Sequence, residues 1–143
     1  MKTLRVWHQI DQCIRSVPEA QLWADHVVIE AGELLSCFNA DDWAEAQAHW
    51  NERDVIWQER FADVLVDGNP ERTVPMLVKI IEQTPHDSVA LIAADSLRTV
   101  LKKSLGVSPT AIARIRYLQS KSTGLMRDSL NKLIERVHEE PTI

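Results

Sequence analysis

The stretch GNPERTVPMLVKIIEQTPHDSVALIAADSLRTVLKKSLG, residues 68–106, decides the fold class. Gly68, Asn69 and Pro70 stop one element and start another. Asn69 is placed to cap and Pro70 to occupy the first helical position, where its missing N–H costs nothing. Val74, Leu77, Val78, Ile80 and Ile81 then recur at steps of three and four, the period of an amphipathic helix. Pro75 falls inside the first turn and a half, where it can distort the start without forbidding the helix. Thr84-Pro85 repeats the start signal. Val89, Ile92, Ala93, Ser96, Leu97, Val100, Leu101 and Leu105 mark a further helix that the pattern ends at Gly106.

The same period extends outward in both directions. Toward the N-terminus, Leu4, Trp7, Ile10, Ile14 and Val17 form a stripe with Cys13 at its margin. Pro18 opens a second helix carrying Leu22, Trp23, Val27, Ala31, Leu34, Leu35 and Phe38. Residues 39–42 combine the capping residue Asn39 with two acids, a composition that favours a helix N-terminus. The helical region that follows runs to about Asp67, unless Asn51 and Asp54 cap a second start and divide it. Toward the C-terminus, Ser108-Pro109 begins a helix with Ile112, Ile115 and Leu118 inward. Ser122, Thr123 and Gly124 break the chain before a last helix with Leu125, Leu130, Leu133, Ile134 and Val137. The expected fold is one all-α domain over residues 1–143, either a compact bundle or a short HEAT-like array of about seven helices. No residue-level repeat chooses between the two.

Composition bounds the rest. The 143 residues are 45% apolar and 26% charged, close to the globular average, which argues against disorder and fibrous repeats. A chain of this length buries about two-thirds of its unfolded surface, so Cys13 and Cys37 are not needed as staples. No apolar run approaches the roughly 20 residues of a spanning helix. His8, Gln9, Asp11 and Gln12 stand where a secretory signal would carry its apolar core. The expectation is a cytoplasmic protein with reduced cysteines and no membrane partner.

The net charge of −5 divides unevenly. Residues 1–70 hold 13 acidic against 5 basic side chains, and residues 71–143 hold 8 against 11. All five tryptophans lie in the acidic part. Clustered Lys and Arg are what phosphate contacts require, so that part is no nucleic-acid surface. In the basic part, Arg114, Arg116, Lys121, Arg127, Lys132 and Arg136 alternate with Leu and Ile at helical spacing and read as a solvated face. The asymmetry also leaves room for head-to-tail self-association.

Trp43, Trp50 and Trp57 are spaced by seven. In one continuous helix they would share a face with a drift of about 20° per heptad. Either they anchor the core of a domain poor in Phe and Tyr, or Trp43 or Trp50 is partly exposed and anchors an interface. Asp41, Asp42, Glu45, Glu52 and Asp54 surround them in sequence. The candidate partner surface is therefore Asp41, Asp42, Trp43, Glu45, Trp50 and Asp54, with acids steering a basic protein and indoles supplying contact energy.

His26, Glu30, Glu33 and Cys37 lie one turn apart along one helix and could seed a Zn²⁺ site, which would make a metal-dependent enzyme a third reading. The other four histidines are scattered, and no second one stands at zinc-site spacing. There is no phosphate loop, nucleophile elbow or Cys-x-x-Cys, so no catalytic residue, metal or cofactor is assigned.

Residues 57–106 resemble a family of small uncharacterised bacterial helical proteins. The matching residues are Trp57, Phe61, Val64 and Leu65, the turn from Asp67 through Gly68, Asn69, Pro70 and Glu71 to Arg72, then Leu77 and Ile80, and finally Ala93-Ala94 with Leu97, Leu101 and Gly106. Family members carry Gly-Pro and Leu-Glu-Asp-Leu-Leu after the paired alanines, where this chain has Asp95, Ser96, Leu97, Arg98, Thr99, Val100 and Leu101. The resemblance implies a helical fold and a bacterial source, and it carries no activity. Small acidic bacterial helical proteins without enzyme signatures are often immunity proteins that neutralise a toxin. That expectation rests on class membership. The alternative is a HEAT-like scaffold or regulatory adaptor.

Overall fold

Side-chain caps open four of the helices in the computed structural model, which describes residues 5–15, 23, 27–102 and 106–138. Among these residues there are eight α-helices and no strand: α1 (Val6–Arg15), α2 (Val28–Ser36), α3 (Ala40–His49), α4 (Val55–Val64), α5 (Pro70–Gln83), α6 (Asp87–Val100), α7 (Pro109–Lys121) and α8 (Gly124–His138). Asn39 opens α3 with a reciprocal capping box: its side chain accepts the Asp42 N–H, and Asp42 Oδ2 accepts the Asn39 N–H, both at 3.0 Å. Asp54 caps α4 by accepting the Trp57 N–H at 2.8 Å. Asn69 with Pro70, and Ser108 with Pro109, start α5 and α7 as the sequence predicts. Pro75 sits within α5, and the helix continues past it to Gln83.

Two predicted boundaries differ. Pro85 does not begin α6, which starts at Asp87. Thr84 and Pro85 instead form a joint in which the buried Thr84 hydroxyl donates to Gln58 Oε1 at 3.1 Å and accepts the His86 N–H at 3.3 Å. Nor does Gly106 end α6. The helix stops at Val100, with Leu101 extended. Arg136 from α8 donates to the Arg98 and Leu101 carbonyls there, so a tertiary contact does the work expected of the glycine. The parts of the first two predicted helices that include Leu4, Val17, Pro18 and Leu22 lie outside the described residues, as does Leu105.

Arg136 is one of three arginines used this way. Arg114 donates to the Ile81 and Thr84 carbonyls at the end of α5 and to Asp87 Oδ1 at 3.0 Å. Arg60 donates to the Ile14 carbonyl at the end of α1 at 3.2 Å. A helix leaves its last four carbonyls without intrahelical donors and carries a partial negative charge there, so a guanidinium satisfies both needs. Two members of the predicted basic face, Arg114 and Arg136, are thus engaged as helix caps.

The packing has a simple plan. α4, α6 and α8 lie side by side in one layer, and α5 and α7 pack behind them in a second. The α5–α6 pair makes the most extensive contact, and Met76, Leu77, Ile80 and Ile81 of α5 and Val89, Ala93 and Leu97 of α6 are all fully buried. Small residues bring α4 and α6 close: the Ser96 hydroxyl donates to the Ala62 carbonyl at 2.8 Å. Across the N-terminal end, α1 packs on α2, α3 and α4. There Trp57 stacks on Phe61 at 4.9 Å, and Trp7 meets both rings edge-on.

Candidate functional site

The predicted tryptophan ridge is not a surface. The chain breaks after His49 into a 3₁₀ turn, Trp50–Glu52, and restarts at the Asp54 cap. Trp43, Trp50 and Trp57 therefore stand on three separate elements, and all three are buried. Trp43 packs edge-on against Phe38 with ring centroids 5.0 Å apart. This corrects the expectation that Trp43 or Trp50 is a partly exposed interface anchor, since the two indoles are only 6% and 1% exposed.

Asp42 is corrected with them. It is 1% exposed, and its second oxygen accepts the Trp7 backbone N–H at 3.0 Å, so its carboxylate belongs to the frame. The other three predicted residues are less enclosed but are engaged locally. Asp41 faces Arg5 at 3.5 Å, Glu45 faces His49 at 3.4 Å, and Asp54 caps α4. The structure does not gather the six into one patch. Of the predicted metal set, His26 lies outside the described residues, while Glu30, Glu33 and Cys37 are exposed. Among the described residues no three His, Cys, Asp or Glu side chains come together as metal ligands.

An aromatic and acidic groove does exist, on the α4–α6–α8 layer. It encloses about 480 Å³. α4 supplies Ile56, Glu59, Arg60 and Asp63, α6 supplies Ile92, Asp95 and Ser96, α8 supplies Met126, and Trp23 closes one wall. The spacing on α4 puts residues 56, 59, 60 and 63 on one face, as do steps of three and four on α6. Ile56 is 54% exposed at the rim, while Ile92 and Met126 are partly buried against the core. A second cleft of about 360 Å³ shares Ile56 and Arg60 and continues toward Arg15 and Arg53.

The polar groups of the groove are oriented by named partners. The Trp23 indole N–H donates to Asp63 Oδ2 at 3.3 Å. The Arg60 guanidinium lies 5.5 Å from the Trp23 ring centroid. Asp95 Oδ1 accepts from the Ser129 hydroxyl at 2.6 Å and from Arg98 at 3.1 Å. The groove walls strip water from Asp63, although it keeps an exposed edge. Together with the negative charges of Asp67 and Asp95, they hold its carboxyl above the usual carboxylate range, against the Trp23 hydrogen bond, which favours the ionised form. Ser96 has its hydroxyl committed to the Ala62 carbonyl. With Asp95 paired to Arg98 and Arg60 in the same lining, Glu59 and Asp63 are the acids left over the apolar floor to face a cationic group on an apolar stem, as in Lys or Arg.

Fold and groove together define an all-α protein with an acidic, partly apolar groove on one helical layer. Comparison with family models, with curated proteins and with solved structures found no match. None of the six residues that sequence reasoning assigned to a partner surface lines this groove. The available signal was Ile56, Glu59 and Asp63 at steps of three and four, an apolar residue sharing a helix face with two acids.

Proposed function

We propose that the chain is a protein-binding module whose groove receives a basic partner, and within that class an immunity protein that binds and neutralises a toxin with a basic surface. The observation that carries this reading is the convergence of Glu59, Asp63 and Asp95 over Ile56, Ile92 and Met126 beside Trp23. Acids at a rim steer a positive partner and reject negative ones, and the apolar floor supplies contact energy once water leaves. Proteins that attack nucleotides or nucleic acids carry electropositive clefts, which an acidic groove complements. The resemblance of residues 57–106 to small bacterial helical proteins fits the same class.

The test is affinity capture from the native host with the wild type and with a Glu59→Lys, Asp63→Lys variant, followed by expression of the captured protein in a sensitive strain. The expected result is one basic protein retained by the wild type, lost with the variant, and toxic when expressed without its binder. Capture that ignores the charge reversal would move the surface elsewhere.

A second reading, a scaffold or regulatory adaptor with no toxin, is favoured by the layer plan. Helices stacked side by side in two layers resemble a short HEAT-like array, in which one layer presents a continuous binding face. A captured partner that is harmless when expressed alone would select it.

A further inference from the structure

Two carboxylates of the groove lack donors. Glu59 is partly buried and has no hydrogen bond or ion pair among the described residues. Asp63 spends Oδ2 on the Trp23 indole N–H at 3.3 Å, and its Oδ1 has no donor among the described residues. The two acids stand one turn apart on α4, where like charges repel, and the negative charges of Asp67 and Asp95 bear on Asp63 as well. Such a pairing costs the fold stability, and a cation seated over Ile56, Ile92 and Met126 would account for it. Arg60 does not supply that cation. It borders the groove, but its guanidinium lies over Trp23, donates to the Ile14 carbonyl and pairs with neither acid. Asp95, by contrast, is already met by Arg98 and Ser129.

We propose that the groove binds a small organic amine, with a primary ammonium on Glu59 and Asp63 and an apolar stem over Ile92 and Met126. The three carboxylate oxygens left without donors, two on Glu59 and one on Asp63, match in number the three N–H groups of an ammonium. Charge-assisted hydrogen bonds of this kind are the strong ones. Volume favours a free ligand. The groove's 480 Å³ falls within the roughly 300–1,000 Å³ of small-molecule sites, whereas one lysine side chain reaching in from a protein surface would fill only part of it. The inference uses the same groove as the basic-partner reading without depending on it. It gives that site a regulation, because an amine seated there must leave before a partner enters.

Calorimetric titration of the purified full chain with n-hexylammonium chloride, at neutral pH and low salt, tests it without any protein partner. The expected result is saturable binding with a Kd on the order of 1 mM, a level suited to so small a ligand. Methylammonium, which lacks the stem, and hexan-1-ol, which lacks the charge, should each bind at least about tenfold more weakly. Combining Glu59→Gln with Asp63→Asn should weaken hexylammonium by a similar factor. Glu59 has no bond to lose and asparagine keeps an acceptor for the Trp23 indole, so circular dichroism should show this variant folded as the wild type. With methyl-labelled methionine, the Met126 resonance should move on titration while that of Met76, fully buried in α5, stays in place. No saturable binding overturns the inference, as do hexan-1-ol binding equally well, a variant that binds like the wild type, or an unmoved Met126. Each of those outcomes leaves capture of a basic protein free to succeed, and failed capture beside amine binding would sink the partner reading alone.

Discussion

Asp42 Oδ1 accepts the backbone N–H of Trp7 at 3.0 Å, across 35 residues of sequence. The same carboxylate closes the capping box of α3 through Oδ2, so one side chain satisfies orphan donors at the N-termini of two helices. Asp42→Ala removes both bonds at a site that is 1% exposed. The expected loss is about 2 kcal/mol, roughly one per cap, read as a shift in urea midpoint with unchanged m. Asp42→Asn keeps one acceptor oxygen and should lose about half as much.

Asp11 joins α1 to the turn before α4. Its carboxylate accepts from Arg53 Nε and Nη2 at 3.1 and 3.0 Å and from Arg15 Nε at 3.0 Å, while the Arg53 guanidinium lies over the Trp7 and Trp57 rings. Desolvation pushes the Asp11 carboxyl up, but the hydrogen bonds and charges of the two arginines outweigh it and leave it below the usual range. A carboxylate with a depressed folded pKa adds stability that is complete above its unfolded pKa and is lost as pH falls through the folded one. Asp11→Ala should therefore cost about 2 kcal/mol at pH 7, since it leaves Arg53 enclosed without its partner. The gap between variant and wild type should close only in strong acid, and a gap constant with pH would count against the ion pair.

Asp63 carries the opposite sign. Its folded pKa is raised, so its ionised form is disfavoured by folding, and that penalty is present above the folded pKa and fades as pH drops toward the unfolded value. Asp63→Asn keeps an acceptor for the Trp23 indole and removes the repulsion from Asp67 and Asp95. Thermal melts at neutral pH should show the variant equal to the wild type or more stable by no more than about 0.5 kcal/mol, because the group is partly exposed and screened. Its capture of a basic partner should weaken nonetheless, which separates a recognition charge from a structural one.

All five indoles are enclosed: Trp7, Trp23, Trp43, Trp50 and Trp57 are each at most 6% exposed. Intrinsic emission of the native protein should be blue-shifted and resist acrylamide until the protein unfolds. Substantial native-state quenching would return an exposed indole to the binding surface.

The fold was legible in the chain wherever the signal is local. Asn39, Asp54, Asn69-Pro70 and Ser108-Pro109 act on donors within three residues, and each marks a helix start in the structure. Thr84-Pro85 and Gly106 misled because their outcomes depend on Gln58 and Arg136, which are distant in sequence. The tryptophan spacing misled for a related reason: a heptad places side chains on one face only if the helix is unbroken, and the turn at Trp50–Glu52 breaks it. As for the groove, Glu59, Asp63 and Asp95 read as ordinary solvated acids until α4 and α6 are set side by side.

Two glycines test how closely α2 approaches the 3₁₀ turn Leu65–Asp67. A Cβ on Gly68 would stand 2.5 Å from Thr73 Cγ2 and 2.9 Å from Leu35 Cδ2, and both side chains are buried with no room to retreat. A Cβ on Gly32 would stand 2.6 Å from Asp67 Oδ2, the end of an exposed side chain that can rotate away, and 3.3 Å from Asp67 Cβ, which must give by a few tenths of an ångström. Gly68→Ala should cost about 1–3 kcal/mol through overpacking. At Gly32 the contact penalty is offset by up to about 1 kcal/mol from better helix propensity within α2, so Gly32→Ala should melt close to the wild type. The reverse order of melting temperatures would mean that α2 meets the turn through a face other than that of Gly32 and Leu35.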